Sequence, residues 1–203
     1  MTVSARSPVR IVHEDRDVMD LAAAERAAAE FLEALGIGLD SESLWGTPGR
    51  MARAYAELLT PQAFNLTTFP NEEGYDELVL ARAIPVVSVC QHHLLPFTGV
   101  AHVGYLPGER ILGLSKLARV VEQFARRPQV QERLTVQIAD WLAGQLRPKG
   151  VGVVIEAEHT CMTLRGVQAA GSSTVTSTLL GVLRDDARSR QEFFALTAAT
   201  PRT

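Results

Sequence analysis

Apolar positions recur at helical spacing in the first third of the chain and give way to alternating, β-branched text from about residue 77; the two patterns then mix. From Asp17 to Leu35 an Ala-rich stretch places Val18, Leu21, Ala24, Ala28, Phe31, Leu32 and Leu35 near one face, which predicts an amphipathic helix stopped by Gly36. Thr47-Pro48 reads as an N-cap followed by Pro at the first helical position, opening a helix through Met51, Tyr55, Leu58 and Leu59 to Thr60-Pro61. The segment from Gln62 to Tyr75 has no clear period. Leu78-Val79-Leu80 and Ile84 to Val89 read as strand leading into Cys90, and Val100 to Leu106, Pro107-Gly108-Glu109 and Ile111-Leu112 read as a hairpin.

Ser115 is placed to cap a helix carrying Leu117, Val120, Val121 and Phe124, closed at Arg126-Arg127-Pro128. A longer helix follows, striped by Val130, Leu134, Ile138, Trp141, Leu142 and Leu146 and stopped at Pro148-Lys149-Gly150. Val151 to Glu158 is a strand, and period two puts Val153, Ile155, Ala157, His159 and Cys161 on one face, with Arg165 continuing it. Thr174 to Leu183 predicts a further strand and Ala187 to Leu196 a terminal helix. The expected class is α+β, organised as a flexible tail over residues 1–14, an N-terminal helical region over 15–75 and a β-rich catalytic domain over 76–203.

A length of 203 residues suits one domain with a helical extension. The formal net charge of −3 gives no general reason to bind nucleic acid or an anionic membrane, so neither is expected as a partner. No signal-peptide core and no apolar run of about 18 residues occurs, which predicts a cytoplasmic protein. In a reducing compartment its two cysteines are metal ligands or free thiols before they are a disulfide.

Those two cysteines direct the search for chemistry. Cys90-Gln91-His92-His93 holds one of them with two of the five histidines, and the other, Cys161, follows His159 by two residues. Thiolate and imidazole are the donors zinc prefers, and Cys90, His93 and Cys161 would supply three, leaving the fourth position open as catalytic zinc sites do. His92 and His159 then stand beside the ion as proton carriers. Nucleobase deaminases instead carry His-x-Glu and Pro-Cys-x-x-Cys, and neither is present. Lys116 and Arg119, three apart near a helix N-terminus, together with Arg165, make a phosphate site plausible, whereas Arg126 and Arg127 read as a solvated face. Glu132 could accept a guanine N–H edge or simply complement its helix dipole.

Taken together, these blocks resemble the GTP cyclohydrolase I family from about Thr47 to Leu196. The resemblance rests on Thr47-Pro48-x-Arg50, Cys90-x-His92-His93-Leu94-Leu95-Pro96-Phe97, Gly113-Leu114-Ser115-Lys116-Leu117-x-Arg119, Pro128 to Thr135, His159-x-Cys161 and Arg165-Gly166-Val167. It implies the tunnelling fold, with antiparallel sheets of several subunits joined into a barrel, helices packed on one face, and active sites between the subunits of a homodecamer. It implies conversion of GTP to 7,8-dihydroneopterin triphosphate and formate, the entry to folate or biopterin synthesis. Zinc on Cys90, His93 and Cys161, proton transfer by His92 and His159, and guanine recognition by Gln131 and Glu132 are carried over with it. So are ribose and triphosphate contacts from Ser115, Lys116, Arg119, Arg165 and Arg50. The family usually has Glu where this chain has Gln91. That departure leaves open a related purine or pterin enzyme with altered chemistry, or a zinc-stabilised assembly subunit without activity.

Overall fold

The computed structural model describes residues 19–198; the expected tail over 1–14 and the expected helix start at Asp17 lie outside them. Helix α1 (Leu21–Ala34) is capped by Asp20, whose carboxylate accepts from the Ala23 N–H at 2.9 Å. It pairs with α2 (Thr47–Leu59), where Gly46 rather than Thr47 is the cap. Thr47 lies inside the first turn, and its hydroxyl accepts from Arg50 Nη2 at 2.7 Å.

Strand β1 (Thr68–Pro70) follows, then the long β2 (Val79–Cys90), β3 (Pro96–Leu106) and β4 (Arg110–Leu112). The expected hairpin between β3 and β4 does not form. Both edges of β3 are already occupied along its length, by β2 from Val79↔Tyr105 onward and by β6 (Gly150–His159) as far as Leu106↔Gly150. The turn after Leu106 therefore carries β4 to β1, where Arg110 donates to the hydroxyl and carbonyl of Thr68 at 2.8 and 3.0 Å.

Helix α3 (Ser115–Ala125) begins one residue earlier than a Ser115 cap requires. Leu114 already has helical backbone angles and the Lys116 N–H donates to Gly113, so the Ser115 side chain is exposed and is not spent on capping. Short β5 (Pro128–Gln129) and α4 (Gln131–Leu146) precede β6; α5 (Thr160–Thr163), β7 (Thr174–Gly181), α6 (Val182–Asp185) and α7 (Ala187–Ala198) complete the chain.

The main sheet has the order β5-β2-β3-β6-β7, antiparallel except for the β2–β5 pair. One face, bearing Ala101, Val103, Tyr105, Val151, Val153, Ile155 and Ala157, is buried beneath Leu117, Val120 and Val121 of α3 and Leu134, Ile138 and Leu142 of α4. This α+β arrangement is the one the sequence pattern predicts. At one end of the opposite face α7 adds a second, smaller core: Phe193 lies over Gly104 and Gly152, where a Cβ on Gly152 would come within 2.7 Å of its ring.

At the Gly99↔Ala157 pair of β3 and β6 a Cβ on Gly99 would fall on the Glu156 carbonyl and 2.6 Å from Ala157 Cα. Both obstacles are backbone held in the ladder. Gly99→Ala should therefore lower the denaturation midpoint, at a cost of about 1–3 kcal/mol; an unchanged midpoint in urea unfolding would show that the strands yield at this point.

Candidate metal centre and active site

Strand β2 ends at Cys90, and a tight turn returns the chain as β3. The Cys90 N–H donates to Leu95 and the Leu94 N–H to Cys90, both at 2.8 Å, while Leu94 takes a left-handed φ of 53°. From α2 the Tyr55 hydroxyl donates to the Leu94 carbonyl at 3.0 Å, and from β5 the Gln129 carbonyl accepts from the exposed Gln91 at 2.9 Å. A turn bearing three polar side chains in a row, Gln91, His92 and His93, is thus held by its own backbone and by two other elements.

Across β3, His159 ends β6 directly opposite Phe97, and α5 starts at the next residue. Cys161 therefore sits on a helical turn and not on the strand face that period two predicts. The Thr160 hydroxyl donates to the Pro96 carbonyl and the Leu164 N–H to Thr160, which winds the chain up instead of extending it. For the same reason Arg165 does not continue a strand face; it is exposed beyond the turn, with its charge favouring the Cys161 thiolate.

The two segments bring Cys90 Sγ to 4.0 Å from Cys161 Sγ and 3.9 Å from His93 Nδ1, and all three donor atoms lie within 4.8 Å of one another. Zinc–sulfur and zinc–nitrogen bonds of about 2.3 and 2.0 Å set tetrahedral edges of about 3.5–3.8 Å, so this triangle fits a zinc ion with little movement. The electrostatics agree. Burial, and then the neighbouring Cys90, push the Cys161 thiol above its ordinary pKa, more than Arg165 offsets. Two adjacent thiolates need a cation between them, and a divalent ion supplies it. His92 Nδ1 approaches Cys90 Sγ at 3.7 Å but falls outside the three-donor group.

His159 is stacked on Phe97, with ring centroids 4.4 Å apart and planes 12° from parallel, and its Nε2 lies 2.7 Å from Gln131 Oε1. Burial lowers its pKa below the ordinary histidine value, and the carboxylate of Glu132 works in the opposite direction. Glu132 is exposed beside it, in the first turn of α4. Gln131, only 2% exposed, turns its amide inward and donates to the carbonyls of Ile155 in β6 and Thr174 at the start of β7.

Other expected residues do not join this cluster within one chain. The Ser88 hydroxyl donates to Ala125 at 2.6 Å, which sets the C-terminal end of α3 beside the last residues of β2. The opposite end is tied to Thr67 and, through Leu112, to the Tyr105 hydroxyl, at the start of β2. Helix rise then puts Ser115 and Lys116 about 15 Å from the Cys90 end. Arg119 is engaged by Glu122 at 3.0 Å and Gln62 at 2.6 Å. Arg50 donates to Ser43 and Thr47 in its own loop and helix. Phe97 and Tyr55, which support the site, read in the sequence only as apolar strand and helix positions, because their roles depend on pairing across the fold.

The family model for GTP cyclohydrolase I matches residues 24–198. The chain is similar to GTP cyclohydrolase 1 of Mycobacteroides abscessus, at 50% identity over 93% of this chain and 95% of that protein. It is 51% identical to the Aquifex aeolicus GTP cyclohydrolase 1 over 85% and 94% of the two chains, and 52% identical to that of Streptomyces avermitilis over 87% and 90%.

Cys161→Ser replaces one thiolate of the triangle with a weak donor. The variant should keep its circular dichroism spectrum and fail to retain added zinc by elemental analysis; full zinc uptake would rule out the three-donor centre.

Proposed function

Because the chain belongs to the GTP cyclohydrolase I family and is an enzyme of that type, we propose that it converts GTP to 7,8-dihydroneopterin triphosphate and formate with zinc held by Cys90, His93 and Cys161. The observation that carries this reading is the convergence of Cys90 and His93 from the β2–β3 turn with Cys161 from α5, with His92 Nδ1 also 3.7 Å from Cys90 Sγ. When bound there, zinc supplies Lewis acidity and lowers the pKa of a coordinated water to about 7.

The protein's own groups do the rest. His92, exposed on the turn, and His159, held between Phe97 and Gln131, stand on separate segments and carry protons to and from the purine ring atoms as the five-membered ring opens and formate leaves. Glu132 presents an exposed carboxylate beside His159, able to accept two hydrogen bonds from the guanine N–H edge. Arg165 lies near enough to Cys161 to bring positive charge to the ribose or triphosphate.

Ser115, Lys116, Arg119 and Arg50 complete the triphosphate site from a second copy of the chain, in a homodecamer with active sites between subunits. Two features support this: Ser115 and Lys116 lie at the far end of α3 from Cys90, and exposed apolar side chains flank both parts of the site. Leu114 is 71% exposed next to Ser115, and Leu164 is 74% exposed next to Arg165. Residues 76–203 form the catalytic unit, with the helices of 15–75 as its extension. Two free thiols, and the lack among the described residues of any helix able to cross a membrane, support a cytoplasmic enzyme feeding pterin and folate synthesis. Gln91 is exposed, so its departure from Glu changes charge beside the ligands without disturbing packing, and activity with somewhat changed kinetics is expected.

Zinc-loaded protein incubated with GTP should release formate and yield a fluorescent oxidised neopterin; absence of both, with turnover restored by Gln91→Glu, would sink the reading of native activity. His92→Ala and His159→Ala should each keep zinc and lose turnover by about a hundredfold or more, while zinc loss would make the altered residue a ligand. Lys116→Ala and His159→Ala proteins, each impaired, should regain part of the turnover when dissociated and reassembled together, since some sites then receive both intact residues. No recovery would place the whole site in one protomer.

A further inference from the structure

We propose that Gln131 is a positioning residue that fixes the tautomer of His159, so that His159 exchanges protons with substrate through Nδ1. This rests on His159 being a proton carrier, as above, and it assigns Gln131 a role other than contacting guanine.

The orientation of the amide follows from its partners. Gln131 Nε2 lies 3.0 Å from the Ile155 carbonyl and 2.9 Å from the Thr174 carbonyl, and a carbonyl can only accept. Both N–H bonds of the amide are thereby used, and reversing the group would set its oxygen against two other oxygens in a buried place. Thr135 and Thr176 reinforce the arrangement. The Thr135 hydroxyl donates to the main-chain carbonyl of Gln131 at 2.8 Å, so in the 2.6 Å contact between the two threonines Thr176 is the donor. The Thr176 oxygen is left as a further acceptor, 3.2 Å from Gln131 Nε2.

Gln131 Oε1 is consequently the end that faces His159, and it too can only accept. The ring nitrogen 2.7 Å away, Nε2, must carry a hydrogen. A neutral imidazole has one such hydrogen, so Nδ1 keeps its lone pair. Phe97 holds the ring plane at 12° to its own, and turning the ring over would replace N–H with C–H against the Gln131 oxygen. At 2% exposure the amide has no free atom left for a ligand. Its neighbour Glu132, one helical step round α4, is the residue of the pair that solvent and substrate reach.

The test is ¹⁵N NMR of the histidine rings in zinc-loaded protein, with His159→Ala supplying the assignment. The Nε2–H form of His159 is expected, and the Nδ1–H form would overturn the proposal. Gln131→Met removes the acceptor at similar size. It should release the tautomer and lower kcat about a hundredfold, with KM for GTP within about threefold and zinc content unchanged. A raised KM with kcat preserved would instead make Gln131 a guanine contact. Should the Met variant not fold, the wild-type Nε2–H itself decides: bonded to a buried amide oxygen it should resonate downfield and exchange slowly with solvent, and a rapidly exchanging Nε2–H overturns the proposal. If the tautomer is as expected and His159→Ala still turns over GTP, the proton-carrier reading fails while the positioning of His159 by Gln131 stands.

Discussion

The register of β6 against β3 is the constraint from which the site follows. With Phe97 opposite His159, the imidazole is stacked, Gln131 reaches its far nitrogen, and the next two residues deliver Cys161 to Cys90. A slip of one residue would exchange the two faces of β6 and bring Glu158 to the place of His159. What prevents the slip lies away from the chemistry. Val151, Val153, Ile155 and Ala157 are all buried under α3 and α4, and a slip would exchange them for Gly152, Val154, Glu156 and Glu158. Burying a four-residue apolar face is favourable by several kcal/mol, roughly 1.5–3 for each large side chain, while burying two carboxylates is costly. Hydrophobic burial thus sets the position of His159 to within a residue.

The centre combines two kinds of polar environment. Burial and the neighbouring Cys90 raise the pKa of the Cys161 thiol, and the donor triangle around it is one a cation would fit. Beneath His159 the opposite holds: the buried Gln131 and Thr135 and the half-buried Thr176 are neutral and linked donor to acceptor, leaving a single stable arrangement of hydrogens. A charged partner for His159 in that place would have had to be desolvated. A neutral amide orients the ring at lower cost.

The direction of α3 divides the remaining residues. Its C-terminal end is fastened to β2 near Cys90, so its N-terminal turn, with the exposed Ser115 and the anion-favouring helix start, is carried to the opposite end of the sheet. One chain therefore carries the Cys90, His93 and Cys161 donors at one end and the turn of Ser115 and Lys116 at the other, with an exposed leucine beside each.

Periodicity in the chain determined the main helices, the long strands and the α+β class, because each depends on which side chains face the core within a few residues. Donor chemistry alone singled out Cys90, His93 and Cys161, since each of the two cysteines has imidazole close by in the chain and the pair of elements makes a donor set suited to zinc. Pairing was not legible. Ile111-Leu112 has the same local text whether it pairs with β3 or β1, and only the prior occupation of β3 decides. Cys161 fits a strand face by spacing, and the Thr160 contact to Pro96, made 64 residues away in sequence, turns it into a helix. Gln131 stands beside Glu132 in the same polar run, and its different surroundings appear only when β6, β7 and a histidine close around its amide. Local alternation determined which residues are buried; contacts distant in sequence decided which of them meet, because their energies exist only once the chain has folded.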